Sequence, residues 1–184
     1  MRDGRFDGID TGMFWTEERS KIAYTVPYAQ QTISIVVSKG APKVASVEAA
    51  GGHKTGVEVN SYQERWLRGA DKEQVAKGAK PIEILTFKTA TDVLAALRAG
   101  QVETAILIDQ TANEIARRGL IEITATGLGG APTTMMFRNK NVAEKVAATL
   151  TAMKADGSYD KLFEKFGLTK APESVFTIRG PGPQ

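Results

Sequence analysis

The sequence predicts an α/β fold whose sheet contains parallel pairs, and three observations point to it. Short β-rich apolar runs recur at residues 32–37, 54–59, 82–87, 102–108 and 121–124. The segments between several of them place apolar residues at helical spacing, and parallel neighbours require crossovers of that kind, right-handed by chirality. Glycine and proline then cluster where one element gives way to the next, as at Lys39-Gly40-Ala41-Pro42 and Gly51-Gly52. Alternation of this sort builds a layered sheet with helices packed on it.

Taken in order, residues 6–9 form a short apolar strand entered through a turn at Gly4, and Thr11-Gly12 makes a small-residue bend. Thr16 is a helix N-cap, because its hydroxyl accepts from first-turn amides, and Glu17 and Glu18 suit the positive end of the dipole. Arg19 falls in that first turn. Residues 32–37 alternate incompletely, as a strand buried on both faces for part of its length does. Residues 44–50 read as a short helix or turn. After the strand at 54–59, Ser61 caps a helix with Glu64 at capping-box spacing, running to Gly69 or Ala70 and in polar form toward Gly78. A strand at 82–87 follows, then an amphipathic helix starting at Thr91 or Asp92, a strand at 102–108, a helix at 111–118 and a strand at 121–124. The Gly127–Pro132 stretch (127–132) breaks the pattern, and 133–137 is a short strand. Two helices at 141–155 and 158–166 carry apolar stripes, Val142, Val146, Leu150 and Met153 on the first and Tyr159, Leu162, Phe163 and Phe166 on the second. The Gly-Pro-Gly-Pro end should fray.

Composition narrows the class. With 184 residues, 42% of them apolar and 24% charged, the chain is an ordinary globular protein large enough for one or two cores. No apolar run approaches the ~20 residues of a membrane span, and no secretory h-region follows Met1. The 24 basic and 21 acidic residues are dispersed, so nothing argues for nucleic acid. Without cysteine there is no disulfide and no thiolate nucleophile. His53 sits in a Gly-rich turn and reads as solvated, with no carboxylate partner nearby in sequence. No His/Asp/Glu spacing suggests a metal, and no cofactor is expected. The Gly127-x-Gly129-Gly130 run lacks the flanking strand and helix of a dinucleotide loop and reads as a hinge.

Four motifs in order carry a resemblance. The opening block reads Gly4-Arg5-Phe6-Asp7-Gly8-Ile9-Asp10-Thr11-Gly12-Met13-Phe14-Trp15-Thr16-Glu17-Glu18-Arg19, followed by Tyr24-Thr25-Val26-Pro27-Tyr28. A strand-to-helix turn reads Asn60-Ser61-Tyr62-Gln63. Then come Leu97-Arg98-Ala99-Gly100-Gln101-Val102-Glu103-Thr104-Ala105 and Met153-Lys154-Ala155-Asp156-Gly157-Ser158-Tyr159-Asp160-Lys161-Leu162. Together they resemble the bacterial extracellular solute-binding proteins, family 3, which deliver amino acids and other polar solutes to ABC importers. The resemblance implies a periplasmic-binding-protein-like fold of type II, two α/β lobes joined by two crossover strands with the ligand in the cleft between them. Residues 1–31 and 133–176 would form the first lobe, 32–132 the second with hinge strands at both ends, and 177–184 a frayed tail. In the family a strand, helix and strand precede the opening block. Their lack leaves the first lobe incomplete and reads either as a fragment, the favoured reading, which would also account for the missing signal peptide, or as a minimal variant whose first lobe is half built.

The resemblance also implies a binding site. Arg19 would take a ligand carboxylate in its planar fork of donors, beside free amides of the bend. Thr11 and Gly12 would lie next to the ligand's carboxylate or amino group. Phe14 stands where the family places a hydroxyl residue, and either packs in the core or makes the pocket more apolar; Trp15 reads as core. Ser61 would present a helix N-terminus to the carboxylate while also capping the helix, and Tyr62 would line the cleft. Asp109, at the end of the fourth strand, would take the ligand's ammonium or cap the helix after it.

The expected partners are a small carboxylate-bearing ligand and the membrane permease of an ABC importer, in the periplasm. Self-association through the incomplete lobe is expected as well. Two other readings stand beside this one. A dehydratase-type enzyme on the same scaffold would need Glu58 or Asp109 as general acid, and a sensory module would belong to a larger receptor.

Overall fold

The computed structural model describes residues 5–183. Gly4 and Gln184, assigned above to the first turn and the tail, lie outside the described residues. The chain divides into two compact units, Met1–Gln31 with Ala131–Gln184, and Thr32–Gly130.

The first unit opens with β1 (Gly8–Ile9), shorter than the predicted strand, and α1 (Glu17–Ser20). The Thr16 hydroxyl accepts from the Arg19 amide at 3.2 Å, the predicted cap. The chain then enters β2 (Tyr24–Ser38), which is much longer than the run at 32–37. Its later half belongs to the second unit, followed by β3 (Lys54–Glu58), α2 (Tyr62–Ala76), β4 (Glu83–Phe87), α3 (Ala90–Arg98), β5 (Thr104–Ile108), α4 (Asp109–Arg117) and the start of β6 (Ile121–Phe137).

In the second unit β5 is parallel to β3 and β3 to β4, while Ile33–Val36 of β2 run antiparallel to β5. Val36, Val93, Leu97, Val102 and Leu107 fill the core between the sheet and α3. Gly56 on β3 lets these layers approach, since a Cβ there would lie 3.1 Å from Val102 and 3.3 Å from Val93. The turn at 44–50 stays irregular. Helix α3 starts earlier than Thr91, because Thr89 and Asp92 complete a capping box. Helix α4 likewise starts at Asp109 rather than Thr111, with Ile108 in the cap position and no side-chain cap.

Strand β6 corrects the predicted break at 127–132. The strand continues through it, with Gly127 and Gly129 taking φ of +72° and +54° that bend the ladder without ending it. In the first unit the end of β6 pairs with β1, and β2 pairs with β7 (Thr169–Lys170), which follows α5 (Lys140–Ala155) and α6 (Ser158–Phe166). Tyr159 is the centre of this unit. It is fully buried, stacks on Phe163 at 4.1 Å, donates to the Tyr28 carbonyl and accepts from the Ala171 amide.

The expected frayed tail is a second correction. The Arg179 amide donates to the Thr25 carbonyl and the Gly182 amide to the Ser20 carbonyl, each at 2.9 Å. Gly180 and Gly182 adopt φ of +97° and +78°, so glycine lets this tail follow the surface of the unit closely. Among the described residues no helix is long and apolar enough to cross a membrane.

Candidate functional site

The predicted residues of the first unit lie on the segment from the bend to α1. Thr11 and Gly12 are exposed, and the Thr11 carbonyl accepts from the Met13 amide. Phe14 bridges Thr133 on β6 and the Trp15 amide donates to the Pro132 carbonyl at 2.6 Å, which anchors the segment to the sheet. The Phe14 ring is 3% exposed. Of the two expectations for this residue, packing matches that burial, and its backbone supplies the polar contact. Arg19 is half-buried, and its Nη1 donates to the Phe14 carbonyl at 2.5 Å. A guanidinium holds its five N–H groups in one plane, so this bond helps to fix that plane.

The predicted residues of the second unit lie at the ends of β3 and β5. Asn60 turns the chain out of β3 with a φ of +59°, a conformation Asn tolerates. The Ser61 hydroxyl donates to the Glu58 carbonyl and accepts from the Glu64 amide, so it serves as the cap of α2. Glu64 reaches back to the Asn60 amide at 2.7 Å, one residue beyond the capping-box partner. Burial works against ionisation of Glu64, but the hydrogen bonds from Asn60 and Arg68, with the charges of Arg68 and Arg65, hold its carboxyl below the usual range. The Tyr62 hydroxyl donates to the Gly129 carbonyl on β6, and burial pushes the phenol up. Trp66, one helical turn on, packs so closely on Gly129 that a Cβ there would overlap the indole.

Asp109 has the most defined surroundings. Thr32 donates to one carboxylate oxygen and Ser34 donates to the other at 2.6 Å; Ser34 also lies 3.3 Å from the Thr126 hydroxyl. Thr32 and Ser34 alternate with Ile33 and Ile35, so both hydroxyls leave the same face of β2. The antiparallel register of Ile33 with Ile108 brings that face to the end of β5. Sequence reading missed both residues. Their signal was a polar period of two inside an apolar run, legible only once the partner strand is known. Among the described residues Asp109 forms no ion pair, and as the first residue of α4 it also meets the positive end of that helix.

His53 keeps a partly exposed side chain, as a solvated residue does, and has a carboxylate neighbour that is distant in sequence. Its Nδ1 lies 2.6 Å from Glu103 Oε2, a contact between the start of β3 and the loop before β5. No group of three or more His, Asp or Glu that could hold a metal occurs among the described residues.

A family model described as bacterial extracellular solute-binding proteins, family 3, matches residues 1–169. The ABC transporter glutamine-binding protein GlnH of Bacillus subtilis (strain 168) is 26% identical, and the match covers 90% of this chain and 59% of GlnH. The chain therefore spans less than two thirds of that curated relative. Among solved structures, an ancestral arginine-binding protein bound to arginine is 29% identical with a TM-score of 0.74, covering 89% of this chain and 73% of that one. The ancestral amino acid-binding protein AncCDT-1, a precursor of cyclohexadienyl dehydratase, is 25% identical with a TM-score of 0.69, covering 89% and 70%. The fold is thus the mixed α/β fold of periplasmic binding proteins.

Proposed function

This chain belongs to the bacterial extracellular solute-binding proteins, family 3, and we propose that it captures a small carboxylate-bearing solute, an amino acid or related organic acid, for an ABC importer. Its place of work is the periplasm and its protein partner the importer's membrane permease. The observation that most supports this is the Asp109 carboxylate, oriented by the Thr32 and Ser34 hydroxyls and engaged in no ion pair among the described residues. A carboxylate so fixed accepts an ammonium without first having to give up a protein cation. In the first unit Arg19 supplies the matching donor for a carboxylate. Thr11 and Gly12 precede that donor on the same segment, the Phe14 carbonyl accepts from it, and Ser61 and Tyr62 lie at the start of α2. Amino-acid ligands of the relatives, glutamine for GlnH and arginine for the ancestral protein, carry both an ammonium and a carboxylate.

The chain acts in this reading as a binding module and not as an enzyme. The relatives that support this reading are named as binding proteins. Calorimetric titration with a panel of amino acids and their des-amino analogues tests the proposal. Binding of one or more amino acids, weakened when either the ammonium or the carboxylate is removed, is expected. Turnover of a prephenate-like acid, or binding indifferent to both groups, would overturn it.

A further inference from the structure

The segment after residue 169 lies beyond the family match, yet it is bonded closely to the part of the first unit that carries Arg19. We propose that residues 177–182 are an ordering strap for the α1 segment, which presets the Arg19 guanidinium; this rests on the reading of Arg19 as the carboxylate anchor. Helix α1 has four residues, far too few to persist alone, so its geometry must come from outside. Its N-terminal side is tied to β6 by the Phe14 bridge and the Trp15 amide. Its C-terminal side is tied by the tail. The Gly182 amide donates to the carbonyl of buried Ser20, one of the carbonyls a helix end leaves unpaired.

Arg179 makes the second tie. Its guanidinium lies over the Trp15 ring, 4.4 Å from the centroid, and its carbonyl accepts from the Thr25 hydroxyl at 2.5 Å. Trp15 Nε1 in turn donates to the Thr25 hydroxyl at 3.0 Å. The strap therefore closes a ring through Trp15, Thr25 and Ser20, and Arg19 stands within it, adjacent to Ser20. The fit is sequence-specific. A Cβ at Gly180 would overlap the Ser20 side chain and one at Gly182 would come 2.5 Å from Tyr24, and both positions have positive φ. A binding group held in place before its ligand arrives loses less freedom on binding, which favours affinity.

The test uses the full chain carrying Gly182→Val, Arg179→Ala or Arg179→Lys, with amide exchange in β3 and β5 as the control for folding. Exchange at residues 15–22 should rise about tenfold or more in Gly182→Val and Arg179→Ala, with the second unit unchanged. The resonance of the Arg19 Nη1 proton donated to the Phe14 carbonyl should exchange faster and show greater side-chain mobility in the same variants; Arg179→Lys should recover part of both effects. Affinity for the best acid of the titration panel should fall about 5- to 30-fold. Unchanged exchange at 15–22, or faster exchange there with an unaltered Arg19 resonance, would overturn the proposal. A parent that binds no acid of the panel would overturn the functional reading instead, and the Arg19 resonance would still decide the strap.

Discussion

Arg19 and Asp109 carry opposite charges; the Phe14 carbonyl accepts from the first, and the Thr32 and Ser34 hydroxyls donate to the second. Arg19→Ala removes a planar, charge-assisted contact and leaves a ligand carboxylate without its cation, which should cost about 2–5 kcal/mol of binding. That is a loss of about 30-fold to several thousand-fold, read by calorimetric titration. Arg19→Lys should restore part of it, since an ammonium keeps the charge but not the fork. Asp109→Asn keeps the shape and should selectively weaken ligands that carry an ammonium. Equal affinity of Arg19→Ala and parent, with folding intact, would refute the assignment. These residues were proposed from the sequence because motifs place them by local spacing. Thr32 and Ser34 were not, because what makes them polar partners of Asp109 is a strand register across some 75 residues of chain. The burial of Phe14 was ambiguous for a related reason. An aromatic in a bend fits a core or a pocket equally well until the neighbouring strand is known.

Elements with their own punctuation were the legible ones. Helix α6 matches its predicted bounds because Gly157 and Gly167, both in the left-handed region, mark its two ends. Helices α3 and α4 begin two residues earlier than expected at their caps, since Thr89 competes with Thr91 as a hydroxyl cap and only geometry chooses. Strands β2 and β6 were read as short pieces because Pro27, Pro132 and the 127–130 glycines normally interrupt a ladder. Here the Pro132 carbonyl stays bonded to the Trp15 amide, and the glycines absorb the bend. Among the elements, α6 supplies the joint whose loss should be most visible. Tyr159→Phe keeps the ring stacked on Phe163 but deprives the Tyr28 carbonyl of its donor and the Ala171 amide of its acceptor. A buried amide left unpaired costs about 1–3 kcal/mol. Thermal or urea unfolding should register a loss of that size, and a change under about 0.5 kcal/mol would mean that water replaces the phenol.

The two units differ in how they meet solvent. Phe6, Ile22, Val142, Leu162, Phe166 and Val175 are large exposed apolar residues of the first unit, against Val59, Val75 and Leu120 in the second. Self-association, where it occurs, should therefore involve the first unit, and sedimentation at rising concentration should show Phe166→Lys shifting the chain toward monomer. The charged surface sets the response to pH. Hydrogen bonds from His53, Arg118, Ser158 and Lys154 hold Glu103, Glu114, Asp156 and Asp160, respectively, below their ordinary values of 4.5 and 3.8. A carboxyl with a lowered folded pKa binds protons less readily when folded, so its stabilisation is complete above the unfolded value and lost as pH falls through the folded one. Lys21 and Lys170 are raised by their bonds to Glu17 and Glu164, and Tyr28 and Tyr159 by burial. Their contribution has the opposite sign, present below 10 and lost as pH rises above it. The melting temperature should therefore form a plateau from about pH 5 to about pH 9.5 with a decline on each side. The four carboxylates lie at the surface, where ions screen them, so 1 M salt should flatten the acid limb. The tyrosines owe their shift to burial, so their part of the alkaline limb should survive the same salt, while the part from the surface lysines should shrink. Scanning calorimetry across pH at low and high salt separates the two. An acid limb insensitive to salt would place the responsible carboxylates in the interior and contradict this account.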